Sequence, residues 1–227
     1  MTRTLSHHGR ERRGAAVWLL AAAGGWWAPH AHAGAQKEEP LIDSVRTALA
    51  AAIANSAPPK PVFENIEARM AYLRWLGEMS NRLKKRKADH TTRVEFLETV
   101  WYESKRAGLE PSLVLGLIQV ESGFRKYAIS SAGARGYMQV MPFWARLIGD
   151  GDAGKLFHMQ TNLRFGCVIL RHYLDRERGD LFMALGRYNG SRGQAAYPNA
   201  VLAARRQWEF NEAGSATATQ PARSGAS

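Results

Sequence analysis

Residues 111–121, Pro-Ser-Leu-Val-Leu-Gly-Leu-Ile-Gln-Val-Glu, constrain the fold more than any other stretch of the chain. Leu113, Val114, Leu115, Leu117, Ile118 and Val120 fall on nearly every side of a helix, so the segment is stable only if other elements wrap it. Pro111 suits a first helical turn, where its missing N–H costs nothing. The rest of the chain supplies helices for the wrapping. After Val62 the apolar residues Phe63, Ile66, Met70, Leu73, Leu76 and Met79 recur three or four apart and define one helix face. Phe96, Leu97, Val100 and Trp101 are expected to point inward from a helix that Thr91 or Thr92 caps and that stops near Gly108. Further helices are expected over 143–148, 161–175, 180–187 and 199–210. Strand alternation is almost absent, and the fold class is all-α.

The chain has 227 residues, room for one core with flanking tails. Arg3, Arg10, Arg12 and Arg13 face a lone Glu11, residues 14–27 carry no charge, and Ala31-His32-Ala33 follows. This is the order of a secretory signal, a basic region, an apolar region and a small-residue cleavage site, over residues 1–33. An uncleaved anchor is the alternative, but the apolar stretch is shorter than the ~20 residues of a span. The formal net charge is +11; removing four Arg and one Glu with the signal leaves 27 basic and 19 acidic residues, or +8. An exported basic protein meets anionic envelope polymers rather than nucleic acid, and no stable membrane span remains after cleavage. The expected location is the periplasm.

Residues 34–61 read as a short helix over 41–55 followed by a proline-rich linker, 62–91 as a helical lead-in, 92–210 as the main domain and 211–227 as a disordered tail. The run Lys84-Lys85-Arg86-Lys87 suits a solvated helix end beside the negative pole of the dipole. Cys167 is the only cysteine, so no intrachain disulfide forms; its apolar neighbours predict a buried structural thiol. The seven histidines show no metal-ligand spacing, and no metal or cofactor is expected.

The chemistry centres on Glu121. Leu117 and Ile118 precede it by four and three residues on its own helix face, which strips water from the carboxyl. Desolvation disfavours the ionised form, so the group can stay protonated near neutral pH and donate to a leaving oxygen. The segment 129–142 (Ile-Ser-Ser-Ala-Gly-Ala-Arg-Gly-Tyr-Met-Gln-Val-Met-Pro) then joins two glycines and small residues to polar and thioether side chains. Such a loop admits a bulky ligand close to backbone, and Gln139 offers a donor and an acceptor to sugar amides; a tight structural turn explains it equally well. Phe124, Tyr127, Tyr137, Phe143 and Trp144 surround it, most expected in the core and the rest free to stack on sugars.

Together with Glu121-Ser122-Gly123-Phe124, this loop resembles the signature of the family 1, soluble-type (SLT) lytic transglycosylases, which are lysozyme-like. The family pattern is Glu-Ser, a serine nine residues later and a glycine-rich stretch ending Met-Gln-x-Met-Pro. Tyr188-Asn189-Gly190 after Ala184-Leu185 matches its Tyr-Asn element, and Asn162-Leu163 with Gly166 a weaker one. Tyr137 stands where leucine is common, Ile169-Leu170 where an aromatic-leucine pair is usual, and Gly190-Ser191 where Ala-Gly is common. The resemblance covers residues 92–210 and implies a lysozyme-like helical domain around a long cleft. It implies Glu121 as catalytic acid and then base, Tyr188 holding Glu121, and Ser130, Gln139, Met141 and Asn189 lining sugar subsites.

Glycoside hydrolases usually need two carboxylates, yet residues 122–149 contain no Asp or Glu. A second acid could still come from Glu103, Asp150, Asp152 or Asp180, since distance in sequence does not forbid contact. A single acid suits the reaction that the resemblance implies, cleavage of the N-acetylmuramic acid–N-acetylglucosamine β-1,4 bond with closure of a 1,6-anhydro ring. Its substrate would be the glycan strands of peptidoglycan, with proteins of the envelope machinery as a further partner class. A hydrolytic muramidase of the same fold and a non-catalytic wall-binding accessory of a secretion apparatus are the competing readings.

Overall fold

A computed structural model describes residues 36–54 and 61–211. The expected signal, nearly all of the linker and nearly all of the tail lie outside the described residues. Among the described residues the chain forms α1 (Asp43–Ala54), α2 (Ile66–Leu83), α3 (His90–Arg106), α4 (Pro111–Ser122), α5 (Pro142–Ile148), a 3-10 turn (Ala153–Phe157), α6 (Met159–Arg176), α7 (Leu181–Asn189) and α8 (Ala196–Arg206). The only β pairing among them is two isolated bridges, Ile129 with Arg135 and Arg135 with Val140. No described helix is long and apolar enough to cross a membrane.

Helix α4 is the wrapped centre that its sequence demands, with Leu113 to Ile118 all buried. It begins with Pro111 at its first turn and ends at Gly123, whose φ of 57° closes it in the left-handed conformation. Its principal partner is α8, and Gly116 is the reason: a Cβ there would lie 2.6 Å from the Arg205 backbone nitrogen. Only a residue without a side chain lets the two backbones approach so closely.

Helix α2 buries only the C-terminal part of its expected apolar face, with Met79 in the core and Leu76 half-buried. Tyr72, Trp75, Met79 and Leu83 are the buried residues, whereas Ile66, Met70 and Leu73 are 59%, 45% and 45% exposed. At about 100° per residue these two stripes lie on opposite faces of the helix. The aromatic stripe takes the core because Tyr72 and Trp75 pack on Trp101 of α3, with ring centroids 5.2 and 4.9 Å away, and aromatic side chains bury the larger area. Trp101 is itself only half-buried.

Asp89 rather than either threonine caps α3, accepting from the Thr92 backbone N–H at 2.8 Å. Helix α8 starts at Ala196, earlier than expected, and stops at Arg206. The cationic run is solvated through Arg86, but Lys87 turns inward, 4.9 Å from the Phe96 ring centroid and 4.6 Å from that of Tyr137, and donates to the Tyr137 hydroxyl at 2.6 Å. Cys167 is buried, and desolvation pushes its thiol well up, as befits an inert core residue. Glu103 of α3 is buried against Arg164 of α6 at 2.9 Å and pairs with Arg106 at 3.4 Å. Arg106 and Arg164 also donate to the carbonyls of Ala52 and Ile53, so the negative pole of α1 rests on two cations.

Candidate active site

Glu121 lies in the last turn of α4 and retains 5% exposure. Its Oε1 accepts a hydrogen bond of 2.5 Å from the hydroxyl of Tyr197, the second residue of α8. Its Oε2 is buried and has no partner among the described residues. Burial lifts the carboxyl pKa from 4.5 to about 8, while the Tyr197 hydrogen bond pulls the other way, since it favours the ionised form. The side chain is therefore a carboxylic acid at neutral pH, with one oxygen fixed and the other free to give its proton. Tyr197 stays a phenol, because burial and the neighbouring carboxyl push its own pKa far up.

The close contact at Gly116 makes this geometry possible. It seats α8 on α4 so that a side chain 76 residues away in sequence meets the glutamate. Tyr197 does not stand in the Glu-Ser or Tyr-Asn elements, and no motif spacing singled it out. A signal existed in the pairing of an all-round apolar helix containing a glycine with a later helix opening on a tyrosine.

Tyr188 occupies a different place from the one expected. Its hydroxyl donates to the Met138 carbonyl at 2.7 Å instead of to Glu121. It is fully buried and close enough to feel the Glu121 charge, so it braces the loop beside the acid while Tyr197 holds the acid itself. The reason is the turn of α7: Tyr188 lies inside that helix and reaches the loop before it reaches α4.

The loop 128–141 is fixed by its own polar groups. Asn162 of α6 accepts from the Met138 N–H at 2.8 Å and donates to the carbonyls of Arg135 and Leu156, both at 2.8 Å. Gly136, with φ of 76°, leaves room for that amide, since a Cβ would meet Asn162 Nδ2 at 2.4 Å. Gln139 is 1% exposed, with φ of 48°, and its Nε2 donates to the carbonyls of Ala128 and Gly136 at 3.1 and 2.9 Å. The amide nitrogen expected to meet a sugar is thus spent on the loop's own backbone. Ser130 is half-buried, and its Oγ accepts from the Ala134 N–H at 3.1 Å. Met141, also half-buried, stands at the start of α5. Asn189 is 5% exposed; its Nδ2 donates to Ser191 Oγ at 3.0 Å, and its Oδ1 is buried without a partner among the described residues. Of the clustered aromatics, Phe124, Tyr137, Phe143 and Trp144 are core, and Tyr127 is 70% exposed.

None of the four other acids weighed for a second catalytic role is idle. Glu103 is in the buried pair with Arg164, Asp150 is paired with Lys155, and Asp152 and Asp180 accept from backbone N–H groups at the starts of the 3-10 turn and α7. Among the described residues no group of three or more His, Cys, Asp or Glu side chains is placed to hold a metal ion.

Residues 98–211 match the family described as "Transglycosylase SLT domain". The chain belongs to this family. Among the similar proteins, a "Transglycosylase" of Enterobacteria phage PRD1 is 34% identical over 116 residues, 48% of this chain and 42% of that one. The "Membrane-bound lytic murein transglycosylase C" of Actinobacillus pleuropneumoniae serotype 5b (strain L20) is 40% identical over 84 residues, 34% of this chain and 23% of that one. Its namesake from Glaesserella parasuis serovar 5 (strain SH0165) is 51% identical over 83 residues, 33% of this chain and 23% of that one. This chain thus spans less than half the length of these relatives. Among solved structures, lytic transglycosylase Slt of Pseudomonas aeruginosa aligns with a TM-score of 0.45 at 21% identity, over 67% of this chain and 30% of that one. In this SLT domain the Glu-Ser element supplies the buried acid, and the Tyr-Asn element supplies a brace for the loop beside it.

Proposed function

We propose that this SLT-domain protein is a peptidoglycan lytic transglycosylase. The observation that carries the reading is the Glu121 carboxyl, uncharged at neutral pH, with one oxygen pinned by Tyr197 and the other unencumbered. Such a group suits both halves of a proton relay. As an acid it protonates the glycosidic oxygen between N-acetylmuramic acid and N-acetylglucosamine. The substrate's own N-acetyl group stabilises the positive charge that develops at C1. As a carboxylate, steadied by the Tyr197 hydroxyl, Glu121 takes the proton of the muramoyl C6 hydroxyl, whose oxygen closes on C1. The product ends in a 1,6-anhydro ring, no water is consumed, and Glu121 returns to its starting state.

Two features favour this route over hydrolysis. The four alternative acids weighed above are engaged in pairs and caps, and residues 122–149 beside Glu121 supply no carboxylate to activate water. The C6 hydroxyl is intramolecular, and a tethered nucleophile gains the advantage of proximity. Ser130, Met141 and Asn189 are the side chains through which we expect the sugar to be held, Asn189 by its unpartnered Oδ1. The net positive charge suits an anionic wall polymer, and the N-terminal signal pattern supports an envelope, periplasmic setting. The deciding experiment is digestion of purified sacculi followed by mass spectrometry of the fragments. Anhydromuramoyl ends are expected; ordinary reducing ends would mean a muramidase, and sedimentation with the wall without release of fragments would mean a binding module.

A further inference from the structure

The acid just described is almost sealed. A proton donor must come within about 2.6–3.2 Å of the oxygen it protonates, yet Glu121 is 5% exposed and its free Oε2 is buried. Some neighbouring group must move before a polymer reaches it. Among the described elements, the N-terminal segment ahead of α1 reaches Tyr188, the brace of the loop beside that acid. Gln36 is 4% exposed, and its Oε1 accepts from the Trp144 indole N–H at 2.9 Å. Its Nε2 lies beside the Tyr188 hydroxyl but completes no well-formed hydrogen bond. Tyr188 in turn lies within electrostatic reach of Glu121. Three residues on, Glu39 is gripped by Arg187 at 3.0 Å and Arg176 at 2.5 Å, and Glu38 meets Arg146 at 3.7 Å.

The segment therefore presents one buried amide and, two and three residues further on, carboxylates on arginines. An acylated amino sugar bearing an acidic peptide presents the same groups, an acetamido carbonyl and peptide carboxylates. The seat is polar where it should be apolar if it served packing alone: Gln36 Nε2 is buried without a partner among the described residues, as are Asn189 Oδ1 and Glu121 Oε2 of the candidate site, and buried polar atoms are rarely left so without a use. The attachment is incomplete. No residue of α1, which follows the segment, is fully buried, although Leu49, Ala50 and Ile53 pack on the core, and a cavity of about 590 Å³ is lined jointly by α1, α3 and α6.

We propose that residues 36–39 are an intramolecular stand-in for substrate, occupying a subsite floored by Trp144 and Tyr188 and rimmed by Arg176 and Arg187 that receives the acetamido group and peptide carboxylates of a muropeptide. The assignment rests on the wall-cutting reading and adds to it the part of the substrate recognised and the device that guards the acid. A site occupied by its own chain about nine-tenths of the time binds an outside ligand about tenfold more weakly than an open one.

The test uses the full chain with Glu121→Gln, so that ligand is bound but not cut, with and without Gln36→Ala, Glu38→Ala and Glu39→Ala together. Calorimetric titration with a soluble disaccharide-peptide is expected to show three- to tenfold tighter binding when the three substitutions are present, and Trp144→Phe added to them is expected to weaken it again. An uncharged chito-oligosaccharide is expected to gain less. Equal or weaker binding by the triple variant overturns the proposal, as does weaker binding accompanied by a drop of several degrees in Tm, which marks the segment as a structural brace. Equal gains for the two ligands overturn the carboxylate assignment. The wall-cutting reading fails separately, if the parent chain releases no anhydromuramoyl ends from sacculi.

Discussion

The wall built by α4 and α8 and the segment running from residue 36 to the end of α1 are held by opposite means. In the wall the contact is backbone on backbone at Gly116, the core side chains of α4 are fully buried, and the Glu121 carboxyl is dry. The N-terminal segment is held by ion pairs, by two arginines at its helix end, by the buried Gln36 and by the half-buried Leu41, Leu49, Ala50 and Ile53, with a cavity beside α1. The first arrangement is rigid and costs the folded state a carboxyl that it must keep protonated. The second can open at a small fraction of the global stability, because segments with few buried contacts unfold locally first. A wall-cutting enzyme needs both properties, an acid that does not move and a cover that does.

The sharpest break of this contrast is Glu121→Gln. The isosteric amide keeps the Tyr197 contact but cannot transfer the proton, and loss of acid–base catalysis is worth about 10²- to 10⁴-fold or more in sacculus digestion. Unchanged circular dichroism with activity intact would remove the glutamate from the mechanism. Next in size is Glu103→Ala. It leaves Arg164 buried without its carboxylate, and breaking a buried pair from one side costs about 3–5 kcal/mol, read as a fall in the urea midpoint. Since Arg164 also touches the end of α1, this variant is expected to loosen the N-terminal segment as well as the core.

The dry acid also sets a pH signature. Its folded pKa near 8 lies above the unfolded value of 4.5, so between these limits the folded state holds a proton that the unfolded state has released. Stability from this group is full below pH 4.5, is lost as pH rises toward 8, and is level beyond. Glu121→Gln has no such loss. Its Tm is expected to match the parent at pH 4 and to exceed it by several degrees at pH 8.5, whereas an acid in ordinary contact with water would give a constant difference.

Much of this was legible in the sequence, and the misses share a cause. The all-round apolar run of α4 fixed its burial and the raised pKa of its terminal glutamate, because both depend on neighbours within a few residues. The Glu-Ser, glycine-loop and Tyr-Asn elements located the site region. Which tyrosine holds Glu121 was not legible, because the answer depends on how closely α8 approaches α4, a distance set by the absent side chain of Gly116. How much of the apolar face of α2 is buried was not legible for a related reason. Two apolar stripes competed, and partners on α3 decided between them. The turn to backbone of Gln139 likewise depends on a positive φ that its residue type does not announce. The seat of Gln36 joins residues 108 positions apart and leaves no local trace.

Tyr197→Phe probes the wall more gently. Removing the hydroxyl deletes the one hydrogen bond that favours the ionised acid, so the Glu121 pKa is expected to rise above 8 and the alkaline limb of the rate profile to move up with it. Hydrogen bonds to charged groups contribute about 1.5–3 kcal/mol, and the loss should fall on kcat, through the step in which Glu121 is a carboxylate, with KM nearly unchanged. An alkaline limb that stays in place would mean that Tyr197 merely fills space.

The smallest expected effect comes from the lightly held side. Arg146 and Glu38 are 61% and 53% exposed and 3.7 Å apart, a pair that water and salt screen almost completely. Arg146→Ala is therefore expected to leave Tm unchanged within error, although it touches the segment that guards the acid. The informative measurement is native-state hydrogen exchange of the α1 amides. If the segment is held by several weak and separable contacts, losing one speeds exchange in α1 alone and leaves α4 and α8 protected. Faster exchange in all three helices would show that the cover and the wall open as one unit, and the division between a fixed acid and a movable cover would have to be abandoned.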